Sequence, residues 1–121
     1  MPQKEGVRLT KTAIITGASS GIGFETTQEL IKEGWRVFGI DINTEKFEKS
    51  KVLKQSSLFT PIPCDLTNAH AITLTMALIQ KEVSSVDALI ACAGVLRLGA
   101  LENMSVEDFD LVFNVNVRGL W

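Results

Sequence analysis

Tyrosine is absent from the 121-residue sequence, and cysteine is scarce, with only Cys64 and Cys92. The first eleven residues contain no apolar stretch of signal-peptide length, so we expect a cytoplasmic protein in which both thiols stay free. Long apolar runs are also lacking. The longest, from Ala88 to Leu96, is about half of the roughly 20 residues that a membrane-spanning helix needs. The sequence therefore predicts neither an exported protein nor a membrane-embedded one.

An excess of charge of one sign is missing as well. Twelve basic and fourteen acidic side chains give a net charge of −2. This balance provides no electrostatic footprint for a polyanion, so we predict no nucleic-acid partner and no membrane partner. The single histidine, His70, has no cysteine or second histidine nearby that would complete a metal site, and we predict no bound metal.

The segments that are present alternate between short apolar runs and helix-length amphipathic stretches, which is typical of a parallel sheet built from βαβ units. Four strands are predicted, at residues 12–16, 36–40, 58–62 and 86–90. Four helices are predicted, at residues 21–33, 44–55, 68–83 and 106–121. Residues 1–11 form a polar leader, and residues 12–121 form one domain.

Helix signals support these bounds. Ile22, Thr26 and Leu30 recur at the spacing of one helix face, which predicts the face that packs on the sheet. Thr67 is the predicted N-cap of the third helix, because its hydroxyl can accept a hydrogen bond from a first-turn N–H group. Ser105 is the predicted N-cap of the fourth helix.

A glycine-rich turn, Thr16-Gly-Ala-Ser-Ser-Gly-Ile-Gly23, connects the first strand directly to the first helix. The N–H groups and the positive dipole end of a helix bind a diphosphate where no side chain blocks its approach. Gly17 permits the tight turn, Gly21 lets the backbone approach the pyrophosphate, and Gly23 permits close contact between helix and strand. The predicted cofactor-binding residues of this turn are Gly17, Ser19, Ser20, Gly21, Ile22 and Gly23.

An acidic residue, Asp41, follows the second strand, 24 positions after Gly17 (41 minus 17). Dinucleotide-binding folds place there the carboxylate that accepts hydrogen bonds from the adenosine ribose. The alternative is a tightened βα turn with no ligand, but the strand, glycines, helix and acid together favour phosphate binding. A P-loop is excluded, because Phe24 and Glu25 follow Gly23 where that motif requires lysine and then serine or threonine.

The spacing of the three glycines between Gly17 and Gly23 resembles the short-chain dehydrogenase/reductase family. Three further segments are similar to motifs of that family. Asp65-Leu66 resembles its adenine-contacting pair, Ala93-Gly94 the end of its Asn-Asn-Ala-Gly motif, and Asn116-Val-Arg-Gly119 its Asn-x-x-Gly segment. Ala91-Cys92 replaces the two asparagines of the second motif. The resemblance covers essentially the whole chain from residue 12 onward.

The resemblance implies an α/β fold with a Rossmann-type doubly wound parallel sheet in the order 3-2-1-4, truncated after about four strands. It also implies hydride transfer between a nicotinamide cofactor and an alcohol or carbonyl substrate in the complete enzyme. The expected partner is a small-molecule dinucleotide, and a homo-oligomer is left open for a full-length enzyme. The implied cofactor contacts beyond the glycine turn are Asp41, Ile42, Asp65, Leu66, Cys92, Ala93 and Gly94.

The choice between NAD and NADP follows from charge at the end of the second strand. Asp41 can accept hydrogen bonds from a 2′-hydroxyl group, but it would repel a 2′-phosphate. Neither Ile42 nor the loop segment 18–20 offers a cation that would compensate for this repulsion. NAD is therefore the predicted cofactor, and NADP is disfavoured.

Asn116 is the one implied catalytic residue of this chain, since the matching family asparagine orders a water that reaches a catalytic lysine. At 100° per residue it lies within about 20° of Phe109 and on the face of Phe113, so we expect it to point inward and to bond to backbone or water. The family's catalytic tyrosine has no counterpart. We therefore expect no turnover from this polypeptide alone, and a non-catalytic dinucleotide-binding or interaction module, or an inactive fragment, remains an alternative.

Overall fold

The computed structural model describes residues 10–121, so the predicted leader lies outside the described residues except for its last two. Four parallel strands form one sheet in the order β3-β2-β1-β4, as predicted for the doubly wound α/β fold. The strands are β1 (Thr12–Thr16), β2 (Arg36–Asp41), β3 (Phe59–Pro63) and β4 (Ala88–Ala91). β1 has the predicted bounds, and the bounds of the other three strands differ from the prediction by at most two residues.

Helices connect the strands and follow the last one: α1 (Gly21–Lys32), α2 (Lys51–Gln55), α3 (Ala69–Glu82) and α4 (Val106–Phe113). Short 3₁₀ turns span Glu45–Lys49 and Leu101–Asn103. None of the helices within residues 10–121 has the length and apolar character needed to cross a bilayer.

The predicted helix over residues 44–55 is wrong as a single element, because it is broken at Ser50. The backbone of Ser50 is extended, and its Oγ accepts a hydrogen bond from the Leu53 N–H at 3.2 Å, which starts α2 as a new helix. The predicted N-cap of α3 is also wrong by one residue. Asn68 caps that helix by accepting from the Ala71 N–H at 3.0 Å.

The fourth helix begins after Ser105, as predicted, and Ser105 Oγ accepts a hydrogen bond from the Asp108 N–H at 3.1 Å. It does not continue as an α-helix to Trp121. After Phe113 the chain forms a π-helical turn over Asn114–Arg118, closed by the Gly119 N–H donating to the Asn114 carbonyl at 2.8 Å. This wider turn changes the direction of every side chain after residue 113.

The face of α1 that packs on the sheet is offset by one residue from the predicted one. Gly23, Thr27 and Ile31 are buried, whereas Ile22 is 78% exposed. The cause is Gly23, which has no side chain and sits directly against the turn below it, so that the stripe beginning at this glycine faces inward.

Apolar side chains cover both faces of the sheet, as expected for parallel strands with helices on each side. Ile14 and Ile15 are neighbours on β1 and point to opposite faces. One buried cluster packs under α3 and contains Ile14, Phe38, Ile40, Ile62, Cys64 and Ile79. The other packs under α1 and α2 and contains Ile15, Ala18, Ile31, Val37, Phe47 and Leu53.

The two edges of the sheet differ in chemistry. The Leu58 carbonyl and the Cys64 N–H form hydrogen bonds with β2. Because backbone groups alternate in direction along a strand, those of Pro61 and Pro63 point to the open edge of the sheet. Proline has no N–H group, and the β3 edge therefore lacks donors at these two positions. The β4 edge carries only alanine, leucine and isoleucine, and Leu89 is 58% exposed.

We expect Phe38→Ala to lower the free energy of unfolding by about 3–5 kcal/mol, because Phe38 is 1% exposed and its removal leaves a cavity between β2 and α3. Urea unfolding followed by circular dichroism measures this change. The matched control is Phe113→Ala, which removes a 49% exposed ring stacked on Phe109 and should cost less than about 1.5 kcal/mol. Equal losses for the two variants would contradict the assignment of the core.

Candidate functional site

A cleft of about 280 Å³ opens at the carboxyl ends of the strands, where ligands bind in open α/β sheets. Most of the residues that line it follow strands directly. They are Gly17, Ser20, Ile40, Asp41, Ile42, Cys64, Asp65, Leu66, Thr67, Cys92, Ala93, Gly94, Val95, Leu111 and Val115. The fold thus brings the end of each of the four strands to one site.

The glycine turn packs closely against its surroundings. Gly17 has φ +65°, and a Cβ there would lie 2.6 Å from the Ala93 backbone nitrogen. A Cβ on Gly23 would collide with the Gly17 carbonyl oxygen. Gly21 has φ +53° and open space around it. The first and third glycines are therefore required for close approach, and the second for backbone conformation and free access.

Hydrogen bonds fasten the turn to β4 and β2. On the β4 side, the Ala93 N–H donates to Thr16 Oγ1 at 3.3 Å, and the Cys92 N–H donates to the Thr16 carbonyl at 3.1 Å. On the β2 side, the Ala18 N–H donates to the Ile40 carbonyl at 3.2 Å. The floor of the cleft is thus held from both neighbouring strands.

Asp41 lies half-buried at the end of β2 and lines the cleft. Its Oδ2 accepts a hydrogen bond from the Ser19 N–H at 3.1 Å, and its Oδ1 accepts one from the Ile42 N–H at 2.8 Å. A carboxylate has about four acceptor positions, so Asp41 keeps capacity for further donors.

The start of α1 differs from the starts of the other helices. Ser20 stands at its N-cap in an extended conformation, and its side chain forms no capping hydrogen bond. Ser50, Asn68 and Ser105 all cap their helices. The first turn of α1 contains no acidic residue, so no side chain of that turn places a negative charge on its N–H groups or on the positive end of its dipole.

Asp65 forms an Asx turn with Thr67 at the rim of the cleft. Its Oδ1 accepts from the Thr67 N–H at 2.9 Å and from the Thr67 hydroxyl at 2.7 Å. These two hydrogen bonds hold the pKa of the Asp65 carboxyl below its ordinary value, and the one from the backbone N–H has the larger effect. The same contact explains why Thr67 does not cap α3.

Asn116 forms two hydrogen bonds with the backbone of Val95. Its Oδ1 accepts from the Val95 N–H at 2.8 Å, and its Nδ2 donates to the Val95 carbonyl at 2.9 Å. The predicted bond to backbone is confirmed. The predicted burial is wrong, because Asn116 is exposed, Asn114 is half-buried, and the π-helical turn has rotated both side chains.

Nine of the predicted site residues line the cleft: Gly17, Ser20, Asp41, Ile42, Asp65, Leu66, Cys92, Ala93 and Gly94. Ser19, Gly21, Ile22, Gly23 and Asn116 are not among the lining residues, although Ser19 and Asn116 each bond to one that is. The sequence prediction missed the other six lining residues. Ile40, Cys64, Thr67 and Val95 are each next to a predicted residue in the sequence, whereas Leu111 and Val115 belong to a separate segment. Their spacing of four residues was the available signal, but the face chosen for α4 was that of Phe109 and Phe113.

We expect Gly17→Ala to destabilise the fold by about 2 kcal/mol or more, because it combines a positive φ with a collision against the Ala93 backbone. Urea unfolding measures the loss. Gly34→Ala is the matched control, since Gly34 has φ +85° with nothing within 4 Å, and it should cost only about 1 kcal/mol. A Gly17→Ala variant as stable as Gly34→Ala would rule out the close contact between the turn and β4.

We expect Thr67→Val to raise the pKa of Asp65 toward its ordinary value, because the valine side chain lacks the hydroxyl donor. NMR titration of the Asp65 carboxyl carbon measures this shift, and Thr67→Ser should leave the pKa low. Since the pKa is lowered by folding, this contact stabilises the protein above the ordinary aspartate pKa and is lost as the pH falls through the folded-state value. An unchanged pKa in Thr67→Val would assign the whole effect to the backbone N–H.

The chain matches the family model described as short chain dehydrogenase over residues 11–121. A 2,3-dihydro-2,3-dihydroxybenzoate dehydrogenase of Bacillus subtilis is 34% identical over 113 residues, which cover 92% of this chain and 43% of that relative. The chain therefore spans less than half the length of this relative.

Solved structures agree with this match. A short chain dehydrogenase from Leptospira borgpetersenii with bound NAD+ has a TM-score of 0.81 and 29% identity, covering 92% of this chain and 42% of that one. ElxO with NADP bound has a TM-score of 0.79 and 25% identity, and the match covers 90% of this chain and 45% of that one. These neighbours hold NAD+ or NADP. The chain belongs to the short-chain dehydrogenase family and resembles the cofactor-binding half of its members.

Proposed function

We propose that this chain binds NAD(H) in the cleft above β1, β2 and β4, as the nucleotide-binding half of an oxidoreductase. The observation that supports this proposal is that α1 begins without a side-chain cap close to a carboxylate at the end of β2. Both lie next to the glycine turn, where a Cβ on Gly17 or Gly23 would collide with backbone atoms. An anionic diphosphate fits the first, and ribose hydroxyl groups fit the second.

Different residues of the cleft would bind different parts of the cofactor. The N–H groups from Ser20 to Gly23 would hold the pyrophosphate, and Asp41 would accept hydrogen bonds from the adenosine ribose. Ile42 and the Asp65-Leu66 pair would flank the adenine, since all three line the same side of the cleft beyond β2. The segment from Cys92 to Gly94 would face the nicotinamide side.

Asn116 would act in this site as a positioning residue. It does not line the cleft, but its two hydrogen bonds fix Val95, which does. It also joins the π-helical turn that follows α4 to the loop after β4. A rigid wall on the β4 side would keep a bound cofactor in one orientation, which hydride transfer requires.

A bound nicotinamide would supply hydride transfer between an alcohol and a carbonyl in the whole protein. The residues of this chain would bind and orient the cofactor. None of them is a tyrosine that could transfer the hydroxyl proton of the substrate. That absence favours a second candidate for this polypeptide, a binding module without turnover. Tight NADH binding without carbonyl-dependent NADH oxidation would separate the second candidate from a working enzyme.

NAD is favoured over NADP because the carboxylate of Asp41 would meet the 2′-phosphate of NADP. Within residues 10–121, no lysine or arginine lines the cleft to offset this repulsion. The neighbouring residue, Ile42, is apolar and exposed.

We expect NADH to bind at least about tenfold more tightly than NADPH, because the unfavourable charge contact corresponds to roughly 1.4 kcal/mol or more. Calorimetric titration of each cofactor into the chain measures the ratio. Asp41→Asn removes the charge and should bring the affinities for NADH and NADPH closer together. Any effect of this substitution on the glycine turn would change both affinities alike and so leave their ratio unaffected. Asp87→Asn, at the opposite end of the strands, should leave the ratio unchanged. Absence of binding by both cofactors would overturn the proposed function.

A further inference from the structure

Asp41 is connected to the glycine turn before any ligand is considered. Its Oδ2 accepts the N–H of Ser19, which lies 22 residues earlier in the sequence. Ser19 is only 6% exposed, so its N–H has little access to water as an alternative partner. A hydrogen bond to an ionised group is stronger than one between neutral groups, and a buried donor without a partner is costly.

The position of this bond along the turn gives it its importance. Thr16 is held by the loop after β4, and Ala18 is held by the Ile40 carbonyl. Ser19 is the next residue, and α1 begins at Gly21. Within the part of the chain that the structure describes, the bond to Asp41 is therefore the tether closest to the helix start, whose own N-cap side chain forms no capping bond.

We propose that Asp41 is a positioning residue for the glycine turn as well as a ribose ligand. Its carboxylate holds the Ser19 N–H, and through it the N–H groups that begin α1, in the geometry that receives a diphosphate. This inference rests on the proposed function. It differs from the ribose role because it predicts that Asp41 strengthens dinucleotide binding even when the ribose offers no hydroxyl groups.

The two roles are compatible at one side chain. Ser19 and Ile42 each occupy one acceptor position, on different oxygens of the carboxylate. About two positions remain for ribose hydroxyl groups. The ligand therefore adds to the existing contacts and does not replace them.

A double comparison of protein and ligand separates the roles. The ligands are NADH and its analogue in which both hydroxyl groups of the adenosine ribose are replaced by hydrogen, and the proteins are the wild-type chain and Asp41→Ala. We expect Asp41→Ala to bind the dideoxy analogue about tenfold more weakly than the wild type does. Equal affinity of both proteins for the analogue would show that Asp41 acts through the ribose alone and would overturn the inference.

A second measurement needs no ligand. Amide hydrogen exchange followed by NMR should show the Ser19 N–H exchanging about tenfold faster in Asp41→Ala than in the wild type. Asp87→Ala is the matched control, because it removes a carboxylate that accepts the Thr12 N–H at 2.7 Å away from the cleft. Ser19 exchange should be unchanged in this control, and an unchanged rate in Asp41→Ala would also overturn the inference.

The conservative variant Asp41→Asn covers the case in which Asp41→Ala does not fold. Its amide oxygen can still accept the Ser19 N–H without a full charge, so Ser19 exchange and analogue affinity should fall between those of the wild type and of Asp41→Ala. If the wild type binds no dinucleotide, the proposed function fails, and the positioning role in binding fails with it. Faster Ser19 exchange in the variants would then leave only a structural tether.

Discussion

The close approach of α1 to the end of β1 is the contact on which the rest of the site depends. It is possible only because Gly23 has no side chain, since a Cβ there would meet the Gly17 carbonyl group. Gly17 must also lack a side chain, since a Cβ there would meet the backbone of Cys92 and Ala93. The contact sets which face of α1 is buried, brings the turn against the segment after β4, and leaves the first-turn N–H groups of α1 facing the cleft. Core packing and ligand access are therefore fixed by the same two residues.

Most of the fold could be predicted because each strand and crossover helix has its own local signal. The offsets arose where a side-chain hydrogen bond within a few residues overrode such a signal. Thr67 looked like an N-cap but bonds to Asp65, and residues 44–55 had helical composition but are divided by the buried Ser50. The glycines and Asp41 were predictable as site residues because their spacing reflects backbone geometry. Leu111 and Val115 were not, because the inward face of α4 was assigned from Phe109 and Phe113, and no compositional pattern indicated the π-helical turn that contains Val115.

The wall of the cleft on the β4 side departs from the family pattern at Cys92, yet the structure keeps its connection to the turn. The bonds from Cys92 and Ala93 to Thr16 come from backbone N–H groups, which any residue at these positions supplies. Loss of the asparagine side chains therefore leaves these hydrogen bonds intact. Asn116 provides a side-chain amide on this side and reaches the loop from the π-helical turn.

The prolines of β3 limit how the sheet can grow. A ladder built on that edge would meet Pro61 and Pro63 at two of the three outward-facing positions, whereas β4 presents an uninterrupted backbone with donors and acceptors. Any further strand, whichever polypeptide supplies it, must therefore add beside β4. Edge-to-edge pairing of sheets also stops at two copies, because each copy has only one edge, that of β4, with a continuous row of backbone donors and acceptors. A fibre without end would need two such edges in each copy.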